Sequence, residues 1–241
     1  MFVAEIGLNH KGSEKRAFRM LKGLVATNID AVTFQIPKPI FYQTTKKWGG
    51  PLSPEFYKKV IDFVHQNRKL IGFAIQDKEV APFLFRAGVD FWKTLSGSMA
   101  DDDLLVTLQK TRKPLFISTG MSSEKEVVNI SKKFKKATFI HTQLSHKIED
   151  SNVKAIERLR KVTNKKIAFG LHCKNHQVLY LSVALEPSDI FFYIKDNVRE
   201  KFPDDEHAIL IHTVSEIITD MKELKKALGN GIKNKAINAI T

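Results

Sequence analysis

A chain of 241 residues with 43% hydrophobic content can bury one large core, and its length suits a single α/β barrel over residues 1–241 better than two small domains. The formal net charge of +13 and pI near 9.7 point to anionic partners, but the lysines are scattered over predicted helices, as at Lys132-Lys133, Lys165-Lys166 and Lys225-Lys226, without the aromatic interleaving of a single-strand groove, which argues against nucleic acid. No apolar run approaches the ~18 residues of a membrane span, no basic-then-apolar leader opens the chain, and the one cysteine, Cys173, excludes an internal disulfide framework, so a cytoplasmic protein is expected.

Phe2 to Gly7 is a short apolar run with one carboxylate, Glu5, inside it; Leu8-Asn9-His10-Lys11-Gly12 then leads to Ser13 at the head of an amphipathic segment. The pattern reads as strand, polar loop and helix N-cap. A carboxylate in a buried strand needs a strong partner, either a lysine from a neighbouring strand or a ligand. Ala17, Met20, Leu21, Leu24 and Val25 recur at helical spacing, and the helix ends near Thr27-Asn28. A strand over 31–36 is stopped by Pro37-Lys38-Pro39. Pro37 to Leu52 reads as one long loop, of the kind that is functional or mobile, and Ser53-Pro54-Glu55 opens a helix with N-cap, proline and acid in order.

The alternation continues. Strands are predicted over 70–75, 90–95, 114–119, 137–142, 167–171 and 189–194. Helices are predicted over 78–87 and 101–111, from the capping box of Ser123 and Glu126, and over 152–162, 174–185 and 206–228. Eight β/α units whose strands are continuous apolar runs fit a (β/α)8 TIM barrel. An open doubly wound sheet fits less well, because Gly7 and Gly12 lack the spacing of a dinucleotide turn.

In such a barrel, site residues come from the C-terminal strand ends and the loops after them. Those positions hold Glu5, Asn9, His10, Gln35, Lys38, Gln76, Lys93, Ser96, Ser118, Thr119, His141, Thr142, His172, Tyr193 and Asp196, a set suited to an anionic, hydroxyl-rich ligand. Lys93 is the sharpest member: flanked by Phe91 and Trp92, its ammonium needs either Glu5 or a bound anion, and Ser96, Gly97 and Ser98 offer hydroxyl and backbone donors nearby. His141 and His172 stand at different strand ends without a carboxylate companion and fall short of a metal set. Cys173 points away from its neighbour His172, which removes a nucleophile pair.

Taken in order, Ala4-Glu5-Ile6-Gly7 with Asn9-His10 and Gly12, Phe34-Gln35 with Lys38, Phe91-Trp92-Lys93-Thr94-Leu95-Ser96-Gly97, Ile117-Ser118-Thr119-Gly120-Met121, Ile140-His141, Val153-Lys154-Ala155-Ile156 and Gly170-Leu171-His172 resemble the sialic acid synthase family. Its members condense phosphoenolpyruvate with an N-acetylated amino sugar to give a nonulosonic acid. The resemblance implies catalytic roles for Glu5, Lys93 and His172, with Glu5 on the acceptor. It implies substrate contacts from Asn9, His10, Gln35, Lys38, Ser96, Ser118, Thr119, His141 and Asp204, and a divalent ion, manganese or magnesium, at His172. The sequence also departs from the family. Thr33 stands in place of a lysine, Ala74 of a threonine and Leu144 of an asparagine. Gly170-Leu171 replaces a serine-aspartate pair, and Tyr193 and Phe191 stand where the second metal histidine and a nearby glutamate belong. Pro203-Asp204-Asp205-Glu206-His207-Ala208 is only roughly similar to the family's Gly-Pro-Asp-His segment, and no counterpart of the family's antifreeze-like capping domain is expected. The expectation is therefore weak metal binding and slow condensation, with a homodimer or a cap-bearing partner protein completing the site. The alternative is an impaired homologue that binds an anionic sugar or a protein partner.

Overall fold

Eight parallel strands pair in the order of the sequence: β1 (Phe2–Gly7), β2 (Ala31–Ile36), β3 (Leu70–Ile75), β4 (Phe91–Thr94), β5 (Leu115–Ser118), β6 (Thr138–His141), β7 (Ile167–Gly170) and β8 (Ile190–Lys195). Strand β1 also pairs with β8, placing Phe2 opposite Ile190 and Glu5 opposite Tyr193, so the sheet closes into the expected barrel. The computed structural model describes residues 1–233; residues 234–241 of the expected domain lie outside them. The strands alternate with helices α1 (Glu14–Val25), α2 (Pro39–Thr44), α3 (Pro54–Gln66), α4 (Ala81–Ala87), α5 (Asp102–Lys110), α6 (Glu124–Lys133), α7 (Ala155–Thr163), α8 (Gln177–Val183) and α9 (Val214–Ala227).

The start signals in the sequence work as capping chemistry predicts. The side chains of Ser13, Ser53 and Asp101 accept the Arg16, Phe56 and Leu104 backbone N–H groups, and Ser123 with Glu126 forms a reciprocal capping box. Elsewhere the structure corrects the reading. The 37–52 stretch is not one loop: Pro39, preset for the first helical turn, opens α2, and a 3-10 turn follows over Lys46–Trp48. That segment folds over the β1 loop so closely that a Cβ on Gly49 (φ 85°) would fall 2.3 Å from the Lys11 carbonyl oxygen. The 78–87 helix is a 3-10 turn, Lys78–Val80, followed by α4. Helix α7 begins three residues later than expected, after Asn152 turns left-handed at φ 38°, and α8 is shorter than 174–185. The predicted 206–228 helix is wrong in its first part: Ile209–Leu210 forms a short strand, β9, with Ile194 opposite Ile209, and a 3-10 turn precedes α9. Pairing of Ile209 and Leu210 with Ile194 and Lys195 of β8 holds this pair extended, and the chain turns at Ile211.

Side chains alternate across each strand, so positions two apart share a face. Val3, Ala31, Phe91, Phe116, Ile140, Ala168 and Phe191 form a separate apolar cluster that plugs the barrel. Phe116 meets Phe91 and Phe191 edge-on, at ring-centroid distances of 5.4 and 5.2 Å. Gly72 makes room for that plug, because a methyl group there would lie 2.2 Å from Phe91 Cε2. Two residues further along the same strands come Glu5, Thr33, Lys93, Ser118, Thr142, Gly170 and Tyr193. The apolar plug is thus the floor of a polar layer at the C-terminal end of the barrel.

Candidate active site

Lys93 Nζ donates to Glu5 Oε2 at 2.7 Å, and both side chains are buried. Thr33 Oγ1 donates to the same carboxylate oxygen at 3.3 Å. The ammonium lies 5.8 Å from the ring centroids of both Phe191 and Tyr193, within cation-π range. Of the two partners the sequence left open for Glu5 and Lys93, each other or a ligand, the structure realises the first. The β1 register slips between Glu5 and Gly7, a bulge of the kind that re-aims side chains at sheet edges and active sites. Gly7 itself has φ 55°, and a Cβ there would sit 2.7 Å from Tyr193 Cε1 and 3.0 Å from Asp204 Oδ2. Only glycine lets β1 pass beneath those two groups.

Beside the pair, Ser96 and Ser118 share a hydrogen bond of 2.9 Å between hydroxyls, and the Thr94 hydroxyl accepts the Ser118 backbone N–H. On the other side stand Asp204, Tyr193, His172 and His207. Burial, reinforced by the Glu5 charge and opposed by Lys93, pushes the Asp204 carboxyl up to about 7. Burial and the same acids raise the Tyr193 phenol well above its usual value. Burial, with His207, Lys93 and His146 as positive neighbours, holds the His172 imidazole well below its usual range.

Other predicted residues have different partners. Asn9 is a strut: its amide donates to Ile194 O at 2.8 Å and its carbonyl accepts the Asp204 backbone N–H at 3.0 Å. His10 is buried against Phe34, accepts the Gly12 N–H on Nδ1, and is lowered to about 4 by burial. Thr119 Oγ1 donates to Ile140 O, and His141 Nε2 meets Ser151 O at 3.1 Å, so both tie strand ends to loops. Gln35 is half-buried above Thr33, and Lys38 reaches Asp101 at 3.6 Å on the exposed rim. Sequence reasoning missed His207. Its signal was present in the Asp-Asp-Glu-His segment, but the helix predicted there hid the turn that carries it inward.

A divalent ion does not fit this arrangement. Among the described residues no group of three His, Cys, Asp or Glu side chains is disposed to hold a metal. The strand position that would supply the second ligand carries a protonated Tyr193, with apolar Phe191 two residues before it. His172, the proposed metal ligand, has ring neighbours in Tyr193 and His207 instead of a ligand set.

Asp204 gives the site a testable pH signature. Its raised value means that between about 4 and 7 the native state holds a proton that the unfolded chain releases. The associated stability is therefore present below about 4 and lost as pH rises through about 7. Relative to wild type, Asp204→Asn should gain stability between pH 4 and 8 by up to about 4 kcal/mol in denaturant titrations. His207, lowered to about 3 by burial, acts with the opposite sign at low pH but is common to both proteins. A difference independent of pH would show Asp204 to be ionised throughout.

Residues 23–233 match the NeuB family. The chain is 22% identical to the N,N'-diacetyllegionaminic acid synthase of Campylobacter jejuni, over 97% of this chain and 78% of that protein. It is 24% identical to the human N-acetylneuraminate-9-phosphate synthase, over 96% and 72%. The fold matches the crystal structure of a citrate-bound N-acetylneuraminic acid synthetase from Leptospira borgpetersenii with a TM-score of 0.88 and 21% identity, covering 98% of this chain and 87% of that one. No described helix is long and apolar enough to cross a membrane. With the family match running from α1 past α9 and the barrel closed around the predicted strand ends, the chain belongs to the NeuB family.

Proposed function

We propose that this barrel binds phosphoenolpyruvate beside Lys93, Ser96 and Ser118 and joins it to the aldehyde of an N-acetylated amino sugar, giving a nonulosonic acid and phosphate. The observation that carries the reading is the buried Glu5–Lys93 pair beside the Ser96–Ser118 hydroxyl pair, in a family whose similar members are named as nonulosonic acid synthases. The new bond joins C3 of phosphoenolpyruvate to the aldehyde carbon, water supplies the oxygen kept at C2, and phosphate departs. Lys93 has one ammonium hydrogen on Glu5, leaving two for an anion; the two serine hydroxyls add neutral donors. Glu5, with Asp204 opposite, accepts hydrogen bonds from the acceptor sugar. A second copy of the chain or a cap-bearing protein would exclude water from the mouth.

One observation favours a second reading, an impaired homologue that binds an anionic sugar or a protein partner: Glu5 and Lys93 already satisfy each other. Calorimetric titration with phosphoenolpyruvate separates the two. The wild type should bind, and Lys93→Ala should weaken binding at least about tenfold, the scale of one charge-assisted contact. Equal affinity in both proteins would place the anion elsewhere, and no binding by the wild type would remove the donor half of the reading.

A further inference from the structure

The molecule contains a group that neither the ion pair nor the phosphoenolpyruvate contacts use. His207, on the turn before β9, is 4% exposed, and neither of its ring nitrogens has a hydrogen-bond partner. Its ring lies 4.4 Å from that of His172, centroid to centroid, at 30° between planes. The Tyr193 ring meets it edge-on at 5.0 Å, and His146 covers it from the rim at 5.4 Å. Asp204 Oδ1 is 3.9 Å from Nε2, beyond hydrogen-bond reach, and the buried Asp204 Oδ2 has no hydrogen-bond partner either.

A neutral imidazole carries one N–H donor and one lone pair. Burying both unmet is unfavourable, and an Asp204 oxygen left unmet beside them adds to it. A metal ion would use only lone pairs, and among the described residues no three ligands are assembled. The two imidazoles lie against each other, 4.4 Å between centroids and tilted by 30°, with Asp204 beside His207. What satisfies a donor, an acceptor and a carboxylate together is a ligand whose atoms both give and take hydrogen bonds: vicinal hydroxyls, or a hydrated aldehyde with its neighbouring hydroxyl.

We propose that His207, with His172 and Asp204, forms a hydroxyl-reading wall that binds the polyhydroxy acceptor directly, in the place where a resident divalent ion would otherwise hold it. This deepens the reading of the site as a sugar-condensing one and rests on it. It assigns to a turn residue, outside every strand end, the job of orienting the acceptor against the donor on Lys93.

The test uses the full chain labelled with 15N at histidine, followed by NMR of the ring nitrogens, together with calorimetry. Addition of N-acetylmannosamine in the presence of phosphoenolpyruvate should shift the His207 and His172 ring nitrogens. His207→Ala should lose sugar affinity about tenfold, as expected for two neutral hydrogen bonds. His207→Gln, which keeps a donor and an acceptor, should recover part of it, an outcome that a purely packing role does not give. Manganese titrated alone should leave both rings sharp. Ring nitrogens that stay still at saturating sugar while phosphoenolpyruvate binds would overturn the inference and leave the donor reading intact. Shifted rings without phosphoenolpyruvate binding would do the reverse. Saturable manganese broadening of both rings would restore the metal and overturn the inference.

Discussion

Lys93→Met alone is expected to destabilise the protein by about 3–5 kcal/mol, because it leaves the Glu5 carboxylate buried without its cation. The pair has no solvent to fall back on: Lys93 and Glu5 are 5% and 3% exposed, and apart from the ammonium the carboxylate has one weak hydroxyl donor, Thr33 at 3.3 Å. Glu5→Gln alone should also destabilise, since an ammonium is then left facing Phe191, Tyr193 and a neutral amide. The double variant, Glu5→Gln with Lys93→Met, should recover most of the loss and equal or exceed the wild type, because desolvating both charges consumes much of what their attraction returns. Denaturant unfolding of the four proteins forms a double-mutant cycle. Additive losses across the cycle would mean that the pair is not formed in solution. A strongly coupled cycle joined to loss of phosphoenolpyruvate binding in all three variants would show that the protein keeps a costly pair for the ligand and not for stability.

The residues explain why the architecture was legible and the site only half so. Strand positions were readable because parallel strands buried on both faces are continuous apolar runs, and each helix start carried its own cap, as at Ser53-Pro54-Glu55 or Ser123 with Glu126. Glu5 and Lys93 stood out as charges inside such runs. A strand end, however, contributes side chains to two faces. Ser118 points into the barrel, while its neighbour Thr119 bonds to the Ile140 carbonyl and His141 to Ser151. Counting in steps of two from the apolar plug (Val3 to Glu5, Phe91 to Lys93, Phe116 to Ser118, Phe191 to Tyr193) selects the inward set, and needs only the register. Asn9 and His207 could not be assigned this way. Their positions depend on contacts between residues almost 200 apart, such as the Asn9 side chain on the Asp204 backbone, and no local pattern encodes those.

The purified chain is expected to release phosphate from phosphoenolpyruvate with N-acetylated sugars at about 0.01 s⁻¹ or slower, against the 1–1000 s⁻¹ common among enzymes. A divalent ion that polarises an aldehyde contributes several kcal/mol to the transition state, and each 1.36 kcal/mol is a factor of about ten in rate. Here the donor set for that ion is broken: Tyr193 and Phe191 supply a protonated phenol and an apolar ring, and changes even beyond the ligands themselves typically cost about 10–100-fold in affinity or activity. Neutral hydrogen bonds from His207 and His172 can orient an acceptor, but they stabilise developing negative charge less than a dication does. Added manganese should therefore change the rate by less than about twofold, a chelator should change it no more, and Glu5→Ala should abolish what remains. The assay is phosphate release over a panel of N-acetylated amino sugars, with each protein at equal concentration. Rapid turnover that is lost in Glu5→Ala and insensitive to chelator would mean that the Asp204 and His207 wall supplies the polarisation by itself. Rapid turnover that needs manganese would mean that the rings of His172 and His207 rotate to make a metal site from residues that stack in its absence.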